Sequence, residues 1–132
     1  MVIRLHILFV ANYYFGNPDV VKLSTELAKG KHRISVVTCV RNTDKNTHIE
    51  GINAVETRPL ITIHSIGYPL SFPFSRVYKL VRKEGVDIIY TLNDLSTNTA
   101  IAALVSRLTN VPLVYKIQGI GSTTNHLLVD TL

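Results

Sequence analysis

The fold is decided by the stretch LHILFVANYYFGNPD, which spans residues 5–19. Its first part, Leu5 to Ala11, is almost continuously apolar, which is typical of a strand covered on both faces of a parallel sheet. Asn17 then suits a helix N-cap, Pro18 the first helical position, and Asp19 the positive end of the helix dipole. The stretch therefore predicts a strand, a loop and a helix in direct succession.

The same alternation continues along the chain. Val20, Leu23 and Leu27 recur at helical spacing, and Gly30 is a natural C-terminal stop. Further elements follow in the same order: a strand at Ile34–Val40, a helix from Ser75 to Gly85, a strand at Val86–Thr91, a helix capped by Ser96 or Thr97, and a last strand at Leu113–Ile117. Short strand–helix connections predict an α/β fold with a doubly wound, mostly parallel, Rossmann-like sheet and helices on both faces.

Two segments interrupt this alternation. Arg41–Glu50 is polar and too short for a crossover helix, so we expect the strand at Ile52–Thr57 to pair antiparallel or to lie at an edge. Leu60–Ile63 predicts another short strand, and Pro69 and Pro73 break the pattern after it.

Composition limits the class of protein. The chain has 132 residues, of which 46% are hydrophobic and 17% charged, so we expect a single folded domain over residues 1–132. No apolar run approaches the roughly 20 residues of a spanning helix. The only cysteine, Cys39, excludes an internal disulfide and suits a reducing compartment, which favours a cytoplasmic location.

The charge balance favours anionic partners, since 14 Lys and Arg residues face 9 Asp and Glu residues. Four of the basic residues, Arg76, Lys79, Arg82 and Lys83, share one predicted helix. One interpretation is a solvated surface. The other is a patch that binds phosphate or weakly contacts an anionic membrane surface, and membrane contact would make the protein peripheral to the membrane. Nucleic acid is not expected as a partner, because the basic residues are dispersed and no binding module is recognisable.

Ligands of doubly wound sheets bind beyond the carboxyl ends of the strands. This rule selects three loops: Asn12–Asn17, Leu92–Ser96 and Gln118–Asn125. In the first loop, Gly16 and Asn17 precede a helix N-terminus, where free N–H groups hold anions. The competing interpretation is an ordinary capped turn with exposed aromatic residues, and both stay open.

The other two loops carry polar side chains and glycines. Asn93 and Asp94 suit hydrogen bonds to the hydroxyls of a polar ligand, or else an Asx turn before the next helix. Gln118 can donate and accept, and Gly119 lets the backbone approach a ligand, although a flexible turn explains the same residues. Together with Gly16 and Asn17, these four residues are the candidate substrate-binding residues.

No catalytic or metal-binding residue is predicted. Asp94 is a single carboxylate with no visible acid–base partner. The five histidines lack ligand spacing to one another, to Cys39 or to a carboxylate, and we expect His6 to be a hydrogen-bonded histidine of the core or its edge.

Six pieces of the chain, in this order, resemble the opening of a GT-B-fold, family-4-type glycosyltransferase: residues 5–14, 20–29, 34–38, 86–90, 100–104 and 111–120. The resemblance covers nearly the whole chain. It implies the N-terminal, acceptor-side domain of an enzyme with two Rossmann-like domains around a cleft. It also implies retaining, metal-independent transfer from a nucleotide sugar, with a sugar, lipid or glycan acceptor and no bound cofactor.

The chain departs from that family at several positions. A single glycine, Gly16, stands where paired glycines are usual, and Gln118 stands where a histidine is usual, so no catalytic role is carried over. The donor domain is expected to be missing after Leu132, which predicts a truncated domain that is inactive alone. The alternative hypothesis is a non-catalytic Rossmann-like module that binds a donor-domain partner or self-associates.

Overall fold

The computed structural model of the protein describes residues 3–11, 13–39, 47–57, 61–63, 68–70, 74–93, 97–117 and 126–130. The elements within these residues are, in chain order, β1 (His6–Ala11), α1 (Pro18–Lys29), β2 (Arg33–Cys39), β3 (Ile52–Thr57), β4 (Ile61–Ile63), β5 (Tyr68–Leu70), α2 (Phe74–Glu84), β6 (Ile88–Asn93), α3 (Thr97–Thr109), β7 (Leu113–Ile117) and β8 (His126–Asp130).

The main sheet has the strand order β3-β2-β1-β6-β7-β8. Its first five strands are parallel, and β8 pairs antiparallel with β7. The central strand is β1, in which Ile7 pairs with Ile34 on one side and with Ile88 on the other. A second, two-stranded antiparallel sheet joins β4 and β5. The predicted doubly wound, mostly parallel sheet is confirmed.

Helix α1 forms where its end signals predict it. Asn17 is an extended N-cap whose side chain accepts a hydrogen bond from the backbone N–H of Val20, and Pro18 is the first helical residue. At the other end, Gly30 caps the helix and donates its N–H to the carbonyl of Glu26 at 3.1 Å. The positive φ of the turn falls on Lys31, at 69°, rather than on the glycine.

Two apolar layers cover the sheet, because successive residues of a strand point to opposite faces. Leu8 and Val10 pack with α2 and α3, in a cluster that includes Val77 and Val105. Ile7, Phe9 and Ala11 pack on the other face with residues of α1. The expected helices on both faces are therefore confirmed.

The structure corrects two expectations about strands. Strand β3 lies at the sheet edge, as expected, but it pairs parallel and not antiparallel with β2. A parallel return needs about a dozen residues, and residues 40–51 provide that length. The strand at Leu113–Ile117 is not the last one, since β8 follows and pairs with it, Ile117 opposite His126.

Candidate functional site

The strand order of the main sheet reverses between β1 and β6. From β1 the chain moves outward to β2 and β3, whereas β6 and β7 extend the sheet in the opposite direction. The helices that follow β1 and β6 pack on opposite faces, and in sheets of this kind ligands bind at the carboxyl ends of the two strands where the order reverses. This switch point is the candidate site, and it is the position that the sequence predicts.

The loop after β1 is fixed by Tyr14, whose side chain is 0% exposed. Its backbone N–H donates to Oγ1 of Thr38 in β2 at 2.9 Å, and its hydroxyl is hydrogen-bonded to Ser24 of α1. The expectation of exposed aromatic residues in this loop is therefore wrong for Tyr14. Its ring lies beneath α1 and bonds that helix through the hydroxyl, whereas its backbone N–H attaches the loop to β2.

Burial raises the pKa of the Tyr14 hydroxyl, and the hydrogen bond to Ser24 lowers it by less. Burial likewise raises the pKa of Tyr90. Because Ser24 already donates its hydroxyl proton to the carbonyl of Val20 at 2.9 Å, Tyr14 is the donor to Ser24. Both tyrosines thus keep their protons at neutral pH and do not act as bases.

The turn that contains Gly16 and Asn17 uses its own backbone donors. The N–H of Gly16 donates to the carbonyl of Tyr13 at 3.2 Å, and the N–H of Asn17 donates to the carbonyl of Tyr14 at 3.1 Å. Pro18 has no N–H to offer. Of the two interpretations of this loop, the structure shows the capped turn. A contact of Gly16 or Asn17 with substrate stays a prediction.

Strand β6 lies two residues further along the chain than the sequence predicts, since it begins at Ile88 and not at Val86. It extends to Asn93, which pairs in register with Ile117, the last residue of β7. The chain therefore leaves β6 and β7 at the same level of the sheet. Asp94, Gln118 and Gly119 lie outside the described residues, and their roles, like that of Asn93, stay predictions.

Three buried polar residues at this end of the sheet were not singled out from the sequence. Thr38 and Thr91 are 0% and 1% exposed, and Thr91 donates its hydroxyl to the carbonyl of Val10 at 2.9 Å. Asn98, in the first turn of α3, is 1% exposed. The signal that could have identified the threonines is their position at the end of an otherwise apolar strand run.

The amino ends of the same strands carry a hydrogen-bonded network around His6, which is 5% exposed. Its Nδ1 donates to the carbonyl of Glu84 at 3.1 Å, since a carbonyl can only accept, and its Nε2 then accepts from the hydroxyl of Ser35 at 2.8 Å. Its backbone N–H donates to the carboxylate of Asp87 at 2.8 Å. The expectation of a hydrogen-bonded core histidine is confirmed.

Two grooves lie beside the sheet. The first, which we call the α2 groove, has a volume of about 440 Å³ between α2 and the edge strand β3, and it is lined by Val55, Arg76, Lys79, Leu80, Lys83 and Glu84. The second has a volume of about 420 Å³ on the opposite face, where Leu23 and Leu27 of α1 border Phe9, Tyr90 and Val114 of the sheet. The first groove is cationic at its rim, and the second is mostly apolar.

The four basic residues expected to act together on α2 lie on two sides of the helix. Arg76, Lys79 and Lys83 line the α2 groove. Arg82 instead lies over the ring of Tyr78, with its guanidinium carbon 5.8 Å from the ring centroid. The expected single basic face is therefore a ridge of three cations plus one separate arginine.

Within the residues that the structure describes, no group of three or more His, Cys, Asp or Glu side chains is placed to hold a metal ion. No helix in this described part of the chain has the length and apolar character needed to cross a membrane.

The fold defines the chain as a Rossmann-like α/β domain. One solved structure with the same architecture is the C-terminal domain of a hydrogenase from Pyrococcus furiosus, with a TM-score of 0.53, 12% sequence identity, and coverage of 87% of this chain and 94% of that one. At this identity the likeness concerns the fold alone. No curated protein matches the sequence significantly.

The family is given by a match to the glycosyl transferase 4-like family over residues 6–126. The match spans nearly the whole described chain, from the first residue of β1 to the first residue of β8. The protein therefore belongs to the glycosyl transferase 4-like family, and the resemblance found in its sequence is confirmed.

Proposed function

We propose that this chain is the acceptor-binding side of a nucleotide-sugar-dependent, retaining glycosyltransferase of the GT-B type. The observation that carries the proposal is the family match over residues 6–126, on a sheet whose strand order reverses at the predicted cleft. A sugar, or a lipid or glycan that presents one, would bind at the carboxyl ends of β1, β6 and β7.

The chemistry of this edge suits hydroxyl groups better than phosphates. Asn93 ends β6, next to Ile117 at the end of β7, and Gln118 is the next residue in the sequence after Ile117. Amides donate and accept, as sugar hydroxyls require. At the first loop the helix N-terminus has turn-bonded N–H groups and the carboxylate of Asp19, both of which disfavour an anionic donor phosphate.

We expect the 132 residues alone not to transfer sugar. Transfer requires donor and acceptor to be aligned, and the described residues supply one wall of a cleft. The site also lacks a described base, since Tyr14 and Tyr90 stay protonated. The donor would be held by a second domain or a partner.

The test is ligand-observed NMR on the full 132-residue chain with a panel of methyl glycosides and, separately, UDP- and GDP-sugars. We expect contact with at least one glycoside, weaker contact with the nucleotides, and no release of nucleoside diphosphate. Sugar transfer by the isolated chain, or nucleotide binding without glycoside binding, would contradict the proposal. Absence of glycoside binding together with a stable complex with a separately expressed donor domain would support the non-catalytic module instead.

Alanine variants test where on the protein the glycoside binds. Asn93→Ala and Gln118→Ala should each weaken glycoside binding about 5-fold, the usual cost of one lost hydrogen bond. Asn53→Ala is the matched control, since Asn53 is an exposed asparagine in the edge strand β3. We expect it to leave glycoside binding unchanged. Equal losses for all three variants would contradict the placement of the site.

A further inference from the structure

The face of the main sheet that carries α1 is only partly covered by a helix. Helix α1 packs over β2 and β3, whereas α2 and α3 both pack on the opposite face. A helix is about 10 Å wide and neighbouring strands are about 4.8 Å apart, so one helix covers about two strands. The described part of the chain places no second helix beside α1, and Ile88 of β6 and Val114 of β7 are therefore only half-buried.

This uncovered area forms the second of the two grooves, which we call the α1 groove. Its volume is about 420 Å³, which is within the range of small-molecule sites. Seven of the eight described residues that line it are apolar or aromatic, and the eighth is Lys116. Each side of a stable protein–protein interface contributes roughly 20–30 residues, so a small ligand suits this groove better than a second protein chain.

Tyr90 brings an unused hydrogen-bond donor into the lining of the α1 groove. The residue is only 7% exposed and its ring packs on Phe9, with ring centroids 4.8 Å apart. Its hydroxyl makes no hydrogen bond to any other residue that the structure describes. Burial raises the pKa of this hydroxyl, so it keeps its proton at neutral pH and acts as a donor. An acceptor for it can therefore come from a molecule in the groove.

Lys116 places a positive charge beside that donor. It is half-buried, and no carboxylate in the described part of the chain forms an ion pair with its ammonium group. Tyr90 pairs in register with Val114, so Lys116 lies two residues further along the neighbouring strand and on the same face. This offset separates the two Cα atoms by about 8 Å. Tyrosine and lysine side chains are long enough for both donors to reach one group between them.

We propose that the α1 groove binds a small apolar molecule that carries a carboxylate. The carboxylate accepts from the hydroxyl of Tyr90 and from the ammonium group of Lys116, and the apolar body packs on Phe9, Ile88 and Val114. An uncharged ligand would leave the half-buried ammonium group without a partner, and a carboxylate supplies a charge-assisted hydrogen bond. The groove lies on a face of the sheet, so this site goes beyond sugar transfer and does not depend on it.

The experiment is a titration of the isotopically labelled full chain with cinnamate and with octanoate, followed by two-dimensional NMR. Cinnamyl alcohol is the neutral comparison, because it has the same ring and chain without the charge. We expect an acid to shift the backbone signals of Phe9, Ile88, Tyr90 and Val114, and the alcohol to bind at least about 5-fold more weakly. Binding of either acid supports the proposal, and the stronger one shows whether the ligand is aromatic or aliphatic.

Single substitutions with matched controls test where the acid binds. Tyr90→Phe keeps the ring and removes the donor, so we expect it to weaken binding about 5-fold. Lys116→Gln should weaken binding about 10-fold, because a hydrogen bond to a charged group is stronger. Tyr78→Phe and Lys83→Gln remove the same groups from α2, on the opposite face of the sheet, and should leave binding unchanged.

Both groove variants should fold, because neither substitution removes a hydrogen bond or ion pair of the described chain, and thermal unfolding checks this. Equal affinity for the alcohol and the acids, equal losses in the groove and control variants, or no shift with either acid would each overturn the proposal. So would self-association that Leu23→Ser abolishes. Leu23 borders the groove and is 39% exposed, so that result would assign the groove to a second copy of the chain.

Discussion

The two ends of the main sheet differ in how they use polar residues. At the amino ends of the strands, the side chain of His6 bonds Ser35 and the carbonyl of Glu84, and Asp87 accepts from the His6 backbone. At the carboxyl ends, Tyr14 anchors the first loop, through its backbone N–H to Thr38 and through its hydroxyl to Ser24. A polar hydrogen-bonded network ties the amino ends together, whereas at the carboxyl ends Tyr14 holds the first loop from below.

The largest loss of stability is expected when the side chain of Tyr14, which anchors the first loop at the carboxyl end, is removed. Tyr14→Ala empties a fully buried site and should lower the free energy of unfolding by about 3–5 kcal/mol. Urea denaturation followed by circular dichroism measures it. A loss below about 1 kcal/mol would mean that the loop is held by other contacts, and the comparison between the two ends would fail.

His6→Leu tests the amino end. The leucine retains much of the volume, but it leaves the hydroxyl of Ser35 and the carbonyl of Glu84 without their ring partner. We expect a loss of about 2–3 kcal/mol in the free energy of unfolding, from buried groups left unpaired. Glycoside binding by the folded fraction should not change, because the substitution lies at the opposite end of the strands from the candidate site.

Two substitutions of Asn17 distinguish its contribution to stability from a contribution to glycoside binding at the carboxyl end. Asn17→Ala removes the N-cap of α1 and should cost about 1 kcal/mol, whereas Asn17→Asp keeps an accepting oxygen for Val20 and should cost little. If Asn17 also contacts substrate, Asn17→Asp changes glycoside affinity at nearly unchanged stability. Unchanged affinity in this variant would limit Asn17 to its role as a cap.

The smallest expected effect is the change with pH in the stability that Tyr14 contributes. The pKa of Tyr14 is raised by burial, so the folded state holds the proton more tightly than the unfolded state, in which the pKa is about 10. The resulting stabilisation is fully present below that value and is lost as pH rises through the higher folded pKa. Tyr14→Phe should therefore cost about 1 kcal/mol at neutral pH, from the lost hydrogen bond, and less in alkaline solution.

Thermal unfolding of the wild type and Tyr14→Phe at neutral pH and above pH ~10 tests this expectation. Tyr90→Phe is a useful parallel, because burial raises the pKa of Tyr90 as well. A stability difference between wild type and Tyr14→Phe that does not change with pH would contradict it.

Local signals in the sequence predicted the parts of the fold that depend on neighbouring residues. Asn17, Pro18 and Gly30 fix the ends of α1 within a few residues, and the apolar run of β1 marks a strand buried on both faces. The direction of β3 could not be predicted in the same way. The direction of β3 depends on the end of the sheet at which the chain re-enters after β2. The polar sequence of residues 40–51 gives no indication of that end.

The candidate site was predicted in outline only. The rule for parallel sheets selects the edge at which β1, β6 and β7 end, where Asn93 pairs in register with Ile117, and substrate binding there stays a prediction. The burial of Tyr14 was missed because an aromatic residue in a loop looks exposed until the facing residues, Thr38 and Ser24, are known. The separation of Arg82 from Lys79 on α2 likewise depends on what packs beside the helix.

The central position of β1 has a consequence for how the chain is made. Its first partner, β2, follows within a few dozen residues, but its second partner, β6, is far along the sequence. Thr91 of β6, which donates to Val10 of β1, lies 81 positions after it. At a synthesis rate of about 5–20 residues per second, β1 waits roughly 4–16 s with one apolar edge unpaired. During translation this edge is open to chaperones and to mispairing.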